Sequence, residues 1–137
     1  DQINTVLKLL RGHAVNIATL VSPAVSIEEI ENQNRVKVVT DKNGKALYFS
    51  RSPIPFTKNI AQNVTDYFIH LGIYGFNANT LKELGELTTS KLERAESLEQ
   101  LRWLENGYSI YTIKTKERAE SVDTPEDLEN IEKKYFL

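Results

Sequence analysis

Apolar residues recur at two different spacings along this chain, and the change of spacing separates the predicted helices from the predicted strands. Four apolar residues at helical spacing predict a first helix, namely Ile3, Val6, Leu7 and Leu10. Gly12 is expected to end that helix, and the short apolar run over residues 15–21 is typical of a buried strand. Ser26 followed by Glu29 predicts a capping box at the start of a short helix through Ile30.

A β-hairpin is predicted over residues 36–50, where apolar and charged residues alternate. Asn43 and Gly44 are the residue pair most typical of a type I′ turn, whose two central residues both need positive φ. The returning strand brings Arg51 to its end, where a planar guanidinium suits bidentate capture of a carboxylate or an ordinary surface ion pair. Prolines interrupt the segment that follows, so residues 52–63 are predicted to form a long loop.

The next strand is predicted over residues 67–76, and its period-two alternation places His70, Gly72 and Tyr74 on one face. Gly72 leaves a gap between two polar-tipped rings, which suits the close approach of a ligand. Taken alone, His70 fits better a core histidine that bonds to a neighbouring residue than a ligand-binding group.

Helical periodicity returns in the second half of the chain. Asn79 or Thr80 is expected to cap a short helix, and residues 91–105 predict one longer helix that ends at Asn106-Gly107. Residues 108–114 alternate as a strand. Within the longer helix, Glu99 and Gln100 point to adjoining sides of its apolar stripe, as surface residues ordinarily do.

The last predicted helix begins inside residues 121–128. Thr124 is a good N-cap, Pro125 fits the first helical position, and Asp127 lies where a capping-box acid would sit. A stripe expected to be buried follows, made of Leu128, Ile131 and Tyr135. Asp123 lies just before this helix, where a carboxylate at a strand end can hold magnesium or can simply complement the positive helix terminus.

Composition narrows the function classes. The chain has 137 residues, 40% of them hydrophobic and 26% charged, with a net charge of −2, which gives no basis for a nucleic-acid surface. The absence of cysteine excludes disulfides and thiol catalysis, and no apolar run is long enough to cross a membrane. The order of elements predicts an α/β protein with a mixed sheet. No methionine is present, even at position 1, so we expect the chain to be a piece of something longer.

Five sequence runs together resemble the Kdo cytidylyltransferase family, also called the CMP-Kdo synthetases, where Kdo is 3-deoxy-manno-octulosonate. The runs are NRVKVV at 34–39, LYFSRSPIP at 47–55, HLGIYGF at 70–76, ESLEQLR at 96–102 and VDTPEDL at 122–128. The resemblance covers roughly the second half of the family's pattern, and the CTP-gripping start of that pattern is not seen here. Phe56 departs from the tyrosine or tryptophan that is usual in the family.

The resemblance implies a nucleotide-diphospho-sugar transferase-like (Rossmann-like) fold, an α/β mixed sheet with helices on both faces, of which this is the C-terminal portion. Residues 1–137 would be the C-terminal sugar-binding and dimerisation part of a single cytidylyltransferase domain. The implied enzyme converts CTP and Kdo to CMP-Kdo and diphosphate for lipopolysaccharide biosynthesis. It would be a cytoplasmic, magnesium-dependent homodimer that neither binds nucleic acid nor inserts into membranes. We expect the 137-residue chain alone to be inactive.

By the same resemblance, Asp123 would be a catalytic magnesium ligand and Arg51 would hold the sugar carboxylate. The sugar hydroxyls would be read by His70, Tyr74, Glu99 and Gln100. Lys37 receives no role. Two alternatives stay open: a non-catalytic sugar-binding or assembly module, and a cytidylyltransferase for a modified Kdo such as an amino derivative.

Overall fold

The helices and strands follow the predicted order through most of the chain, in a computed structural model that describes residues 2–12, 15–116 and 125–135. In chain order they are α1 (Gln2–Leu10), β1 (Ile17–Pro23), α2 (Ile27–Glu31), β2 (Lys37–Thr40), β3 (Ala46–Ser50), β4 (Phe68–Phe76), α3 (Ala78–Gly85), α4 (Lys91–Glu96), α5 (Gln100–Glu105), β5 (Ile110–Lys114) and α6 (Pro125–Tyr135). The predicted loop over residues 52–63 contains a single short 3-10 turn, Ile60–Gln62.

The strands form one mixed sheet in the order β3-β2-β4-β1-β5. β5 runs parallel to β1, whereas the β1–β4, β2–β3 and β2–β4 pairs are antiparallel. The predicted α/β class with a mixed sheet is therefore confirmed.

Helices cover both faces of the sheet. Alternate residues of β1 point in opposite directions, so they pack against different helices. Ile17 and Val21 face a core built with α3, α4 and α5, in which Leu101 and Trp103 are buried. Ala18 and Leu20 face the other way and pack with α1. Both faces of β1 are thus buried, which explains why its sequence is apolar almost throughout.

The helix predicted over residues 91–105 is wrong as a single element. It divides into α4 and α5 at Ser97, whose φ of 53° and ψ of 47° are left-handed. A serine rarely adopts this conformation, and no glycine or proline marks the break in the sequence. The predicted end of the helical region is confirmed, since Gly107 has a φ of 83° and its N–H donates to the carbonyl of Leu104.

Two local predictions about turns and caps are also wrong. In the hairpin turn Gly44 has a φ of 81°, but Asn43 does not have positive φ, so the turn is not type I′. The Asp41 carboxylate organises this turn by accepting hydrogen bonds from the N–H groups of Asn43 and Lys45. The N-cap of α3 is Asn77 rather than Asn79 or Thr80. At α2, Ser26 accepts a bond from the N–H of Glu29 as predicted.

The last helix begins at Pro125 as predicted, but its apolar stripe is not buried. Leu128 is 47% exposed and Tyr135 is 63% exposed. Asp123 and Thr124 lie outside the described residues, and the side chain of Asp127 is not described. No helix within the described ranges is long and apolar enough to cross a membrane.

Candidate functional site

An open cavity of about 610 Å³ lies beside the sheet, between β4 and the helices α3 and α5. Four of its lining residues were expected near a ligand: Gly72 and Tyr74 from strand alternation, and Glu99 and Gln100 from the family resemblance. Apolar walls from Leu81 and Trp103 complete it. A cavity with mainly apolar walls and a few convergent polar groups is the usual form of a small-molecule site.

The hydroxyl of Tyr74 is buried and has no hydrogen-bond partner among the described residues. Its ring is fixed on several sides, with centroids 5.2 Å from His70, 5.8 Å from Phe76 and 5.1 Å from Trp103. Burial, and secondarily the charge of Glu99, raises the pKa of this phenol, so the group stays neutral. An unsatisfied buried hydroxyl destabilises a folded protein unless a ligand supplies the missing bond.

An irregularity in the sheet shapes this edge of the cavity. Thr19 pairs with Tyr74, but the next residue of β1, Leu20, pairs with Leu71, so two residues of β4 bulge out. The Thr19 hydroxyl, which is fully buried, lies 3.2 Å from the carbonyl of Leu71 and 2.8 Å from that of Ile73. Thr19 therefore stabilises the bulge that exposes the backbone at position 72.

The same threonine sets the tautomer of His70, whose Nε2 lies 3.0 Å from the Thr19 oxygen. A hydroxyl has one proton, and the carbonyl of Ile73 at 2.8 Å is the nearest acceptor for it, so we infer that the Thr19 proton goes there and that Nε2 donates to the Thr19 oxygen. Burial lowers the pKa of His70 to about 4, which keeps the ring neutral near pH 7. Nδ1 is consequently a hydrogen-bond acceptor. His70 does not line the cavity itself but supports the ring of Tyr74.

Glu99 and Gln100 line the cavity and come directly after the break between α4 and α5. Gln100 is only 6% exposed, contrary to the expectation of a surface residue, whereas Glu99 is exposed. Arg102, which also lines the cavity, bonds through Nε and Nη2 to the two carboxylate oxygens of Glu93. Hydrogen bonding from this guanidinium holds the pKa of Glu93 well below its ordinary value.

Arg51 lies at the end of β3 as predicted, but it does not line this cavity. Its guanidinium donates to three backbone carbonyls: Nε to Glu96 at 2.8 Å, Nη1 to Gln33 at 2.9 Å and Nη2 to Ser97 at 3.3 Å. A guanidinium has five N–H donors, so two remain for a further acceptor such as a carboxylate.

Lys37, to which the sequence assigned no role, is fully buried. Its Nζ donates to the carbonyls of Asn32, Arg35 and Arg51 at 2.9, 2.5 and 2.5 Å. All three ammonium protons are therefore used. Burial and the nearby charge of Arg51, opposed by that of Glu96, lower the pKa of Lys37 to about 8.

The predicted metal ligand, Asp123, lies outside the described residues. Within the ranges that the structure describes, no three His, Cys, Asp or Glu side chains lie together so that they could hold a metal ion.

Sequence reasoning missed three contributors to this region, namely Thr19, Glu96 and Trp103. Thr19 had a recognisable signal, because it is the one hydroxyl inside a run of apolar residues from 17 to 21. The contacts of Glu96 and Trp103 join parts of the chain that are distant in sequence, and no local pattern indicates them.

A mixed sheet covered on both faces, with a cavity beside a buried hydroxyl that has no partner among the described residues, defines an α/β protein with a candidate small-molecule site. The chain belongs to the cytidylyltransferase family, whose family model matches residues 2–117.

Named relatives agree with this assignment. A 3-deoxy-manno-octulosonate cytidylyltransferase from Koribacter versatilis is 45% identical over 132 residues, which are 96% of this chain and 50% of the relative. One from Thermodesulfovibrio yellowstonii is 46% identical over 138 residues, 97% of this chain and 54% of the relative. The chain thus spans about half the length of the curated relatives it matches.

A solved structure supports the fold. It is a CMP:2-keto-3-deoxy-manno-octonic acid synthetase complexed with CTP, and it matches with a TM-score of 0.84 and 40% identity. The match covers 94% of this chain and 53% of that structure. The nucleotide-diphospho-sugar transferase-like fold expected from the resemblance is therefore confirmed.

Proposed function

We propose that the protein carrying this chain is a cytidylyltransferase that converts CTP and Kdo to CMP-Kdo and diphosphate for lipopolysaccharide biosynthesis. In this reaction the anomeric hydroxyl of the sugar attacks the α-phosphorus of CTP. A new oxygen–phosphorus bond forms, the bond from the α-phosphorus to the bridging oxygen breaks, and diphosphate leaves. The family membership and the names of the relatives support this reaction.

The buried, unpartnered hydroxyl of Tyr74 is the observation that carries the proposal. Gln100 and Glu99 line the same cavity, and their amide and carboxylate groups add a donor and acceptors to it. A polyhydroxylated sugar offers matching hydroxyls, each of which can both donate and accept. Apolar contact from Trp103 fits the carbon skeleton of such a ligand.

These residues would act by binding and orienting the acid sugar, since positioning and charge neutralisation dominate phosphoryl transfer. The neutral His70 holds Tyr74 in place, and the two remaining donors of Arg51 are proposed to hold the sugar carboxylate. Magnesium is the proposed cofactor and Asp123 its proposed catalytic ligand. Bound magnesium would neutralise phosphate oxygens.

We propose further that residues 1–137 form the sugar-binding and dimerisation part of one cytidylyltransferase domain in a cytoplasmic protein, and that they have no activity alone. Phe56 is 88% exposed and Leu47 is 58% exposed, which favours a partner surface near the hairpin and the loop after it. Sedimentation of the full-length protein tests the homodimer, and a monomer at micromolar concentration would contradict it.

The function is tested by measuring diphosphate release from CTP by the full-length protein with a panel of acid sugars that includes Kdo and an amino derivative of Kdo. We expect Kdo to give the highest kcat/KM. A preference for the amino derivative would instead identify a modified-Kdo enzyme. Sugar binding without any diphosphate release would support the non-catalytic module.

A further inference from the structure

The Glu96 side chain joins the end of α4 to the end of β3. Its Oε1 accepts a hydrogen bond from Ser50 Oγ at 2.7 Å and one from the Tyr48 hydroxyl at 3.4 Å. Its Oε2 accepts one from the backbone N–H of Arg51 at 2.9 Å. A single, partly buried carboxylate thus ties α4 to three donors, two on β3 and one on the residue that follows it.

Arg51 returns these contacts. While its N–H donates to the Glu96 carboxylate, its guanidinium donates to the carbonyls of Glu96 and Ser97. Both the backbone and the side chain of Arg51 therefore donate to the end of α4 and to the break. Lys37 strengthens the sheet end of this arrangement, because its Nζ donates to the carbonyl of Arg51.

These bonds surround the residue at which the helix breaks. Ser97 has the left-handed conformation that serine rarely adopts, and its carbonyl is one of the atoms that Arg51 holds. In an uninterrupted helix each residue turns through about 100° from the previous one, so removal of the break would redirect every side chain after it. Glu99 and Gln100 come directly after the break and line the cavity.

We propose that Glu96 is a positioning residue of the sugar site, which acts by holding Ser97 in the left-handed conformation and thereby directs Glu99 and Gln100 into the cavity. Its carboxylate accepts bonds from Tyr48, Ser50 and Arg51, and it does not line the cavity, so it acts on the sugar indirectly. The Ser97→Gly rescue described below separates an effect through the break from one through Arg51. This inference rests on the proposed function for its activity readout, but not for its structural one.

The test uses the full-length protein and two matched substitutions. Glu96→Gln keeps the shape of the side chain but removes the charge and one acceptor. Glu105→Gln is the control. The Glu105 carboxylate also joins α5 to α4, since it accepts a bond from the N–H of Leu92 at 2.9 Å, but it does not bond to the break. We expect Glu96→Gln to raise KM for the acid sugar about tenfold or more while KM for CTP stays unchanged, as misplacement of a positioning group would do. The control should change neither constant.

Hydrogen exchange supplies a readout that does not need a substrate. Peptides covering residues 97–105 should exchange faster in Glu96→Gln than in the wild type and in Glu105→Gln. Adding Ser97→Gly to Glu96→Gln should bring exchange and the sugar KM back toward wild type, because glycine adopts positive φ without strain. Unchanged exchange in Glu96→Gln overturns the inference, and so does an equal rise of both KM values. If the wild type does not use Kdo, the proposed function fails and the exchange comparison alone decides the inference.

Discussion

Tyr74→Phe should stabilise the protein and weaken its use of the acid sugar. The substitution removes only the buried hydroxyl that has no partner, while the ring contacts with His70, Phe76 and Trp103 remain. Burial of an unsatisfied hydroxyl destabilises a protein by about 1–3 kcal/mol, so its loss should return a gain of that order. For a protein of ordinary enzyme size this corresponds to roughly 2–4 °C in melting temperature per kcal/mol.

The effect on the sugar has the opposite sign. If the hydroxyl bonds to Kdo, its loss removes one hydrogen bond, worth about 0.5–1.5 kcal/mol, or up to about tenfold in affinity. The assay pairs thermal unfolding with KM values for the sugar and for CTP. Tyr108→Phe is the matched control, because that hydroxyl already donates to Glu83 at 3.0 Å and its loss should give no stabilisation.

A lowered melting temperature for Tyr74→Phe, with an unchanged sugar KM, would refute this reasoning. It would mean that the hydroxyl has a partner in the folded protein and that the sugar binds elsewhere. A rise in melting temperature together with a raised sugar KM would show that the Tyr74 hydroxyl lowers the stability of the free protein and strengthens its binding of the sugar.

Three further substitutions test separate parts of the site. Thr19→Val should lower the free energy of unfolding by about 1–3 kcal/mol for each buried group left unpaired. It should also shift His70 from the Nε2–H tautomer, which nitrogen NMR measures, whereas Thr19→Ser should keep that tautomer. Arg51→Lys keeps the charge but loses the planar fork, so KM should rise for Kdo and not for CTP; the reverse result would mean that Arg51 is misassigned. Asp123→Asn should leave the melting temperature nearly normal but slow turnover on the order of a hundredfold or more, with only partial rescue by added magnesium. Near-normal turnover would return Asp123 to a helix-end charge, whose loss costs about 0.3–1 kcal/mol.

Local patterns were reliable where the interactions that form an element are themselves local. The apolar spacing of the first helix, the alternation of the strands, and Pro125 as a helix start each depend on residues within a few positions of one another, and the structure confirms them. The hairpin position was also predicted correctly, but its turn type was not. There Asp41, two residues before Asn43, competes for the turn's N–H groups and changes the geometry.

In the candidate site too, local patterns predicted some features and missed those that depend on distant segments. Period-two alternation was enough to place His70 and Tyr74 on one face, and their rings do lie 5.2 Å apart. Alternation could not show that Gly72 sits in a bulge, because the bulge depends on how β4 pairs with β1 and on the Thr19 hydroxyl 54 residues from Ile73. The sequence likewise indicated Gln100 as a site residue only through the family resemblance, since its position in the predicted helix is typical of a solvent-exposed side chain.

The sequence by itself determined the fold class, the order of most elements and the face of β4 that meets the cavity, because hydrophobic spacing and turn residues act over short distances. The tertiary structure alone decided where the long helix breaks, which donors of Arg51 are used and which hydroxyl lacks a partner. Each of these depends on pairing between segments far apart in sequence, as between Glu96 and Ser50, whose bond spans 46 residues. The left-handed Ser97 has local backbone bonds to Glu93 and also a bond from the distant Arg51, and no sequence pattern in residues 91–105 indicates the second of these.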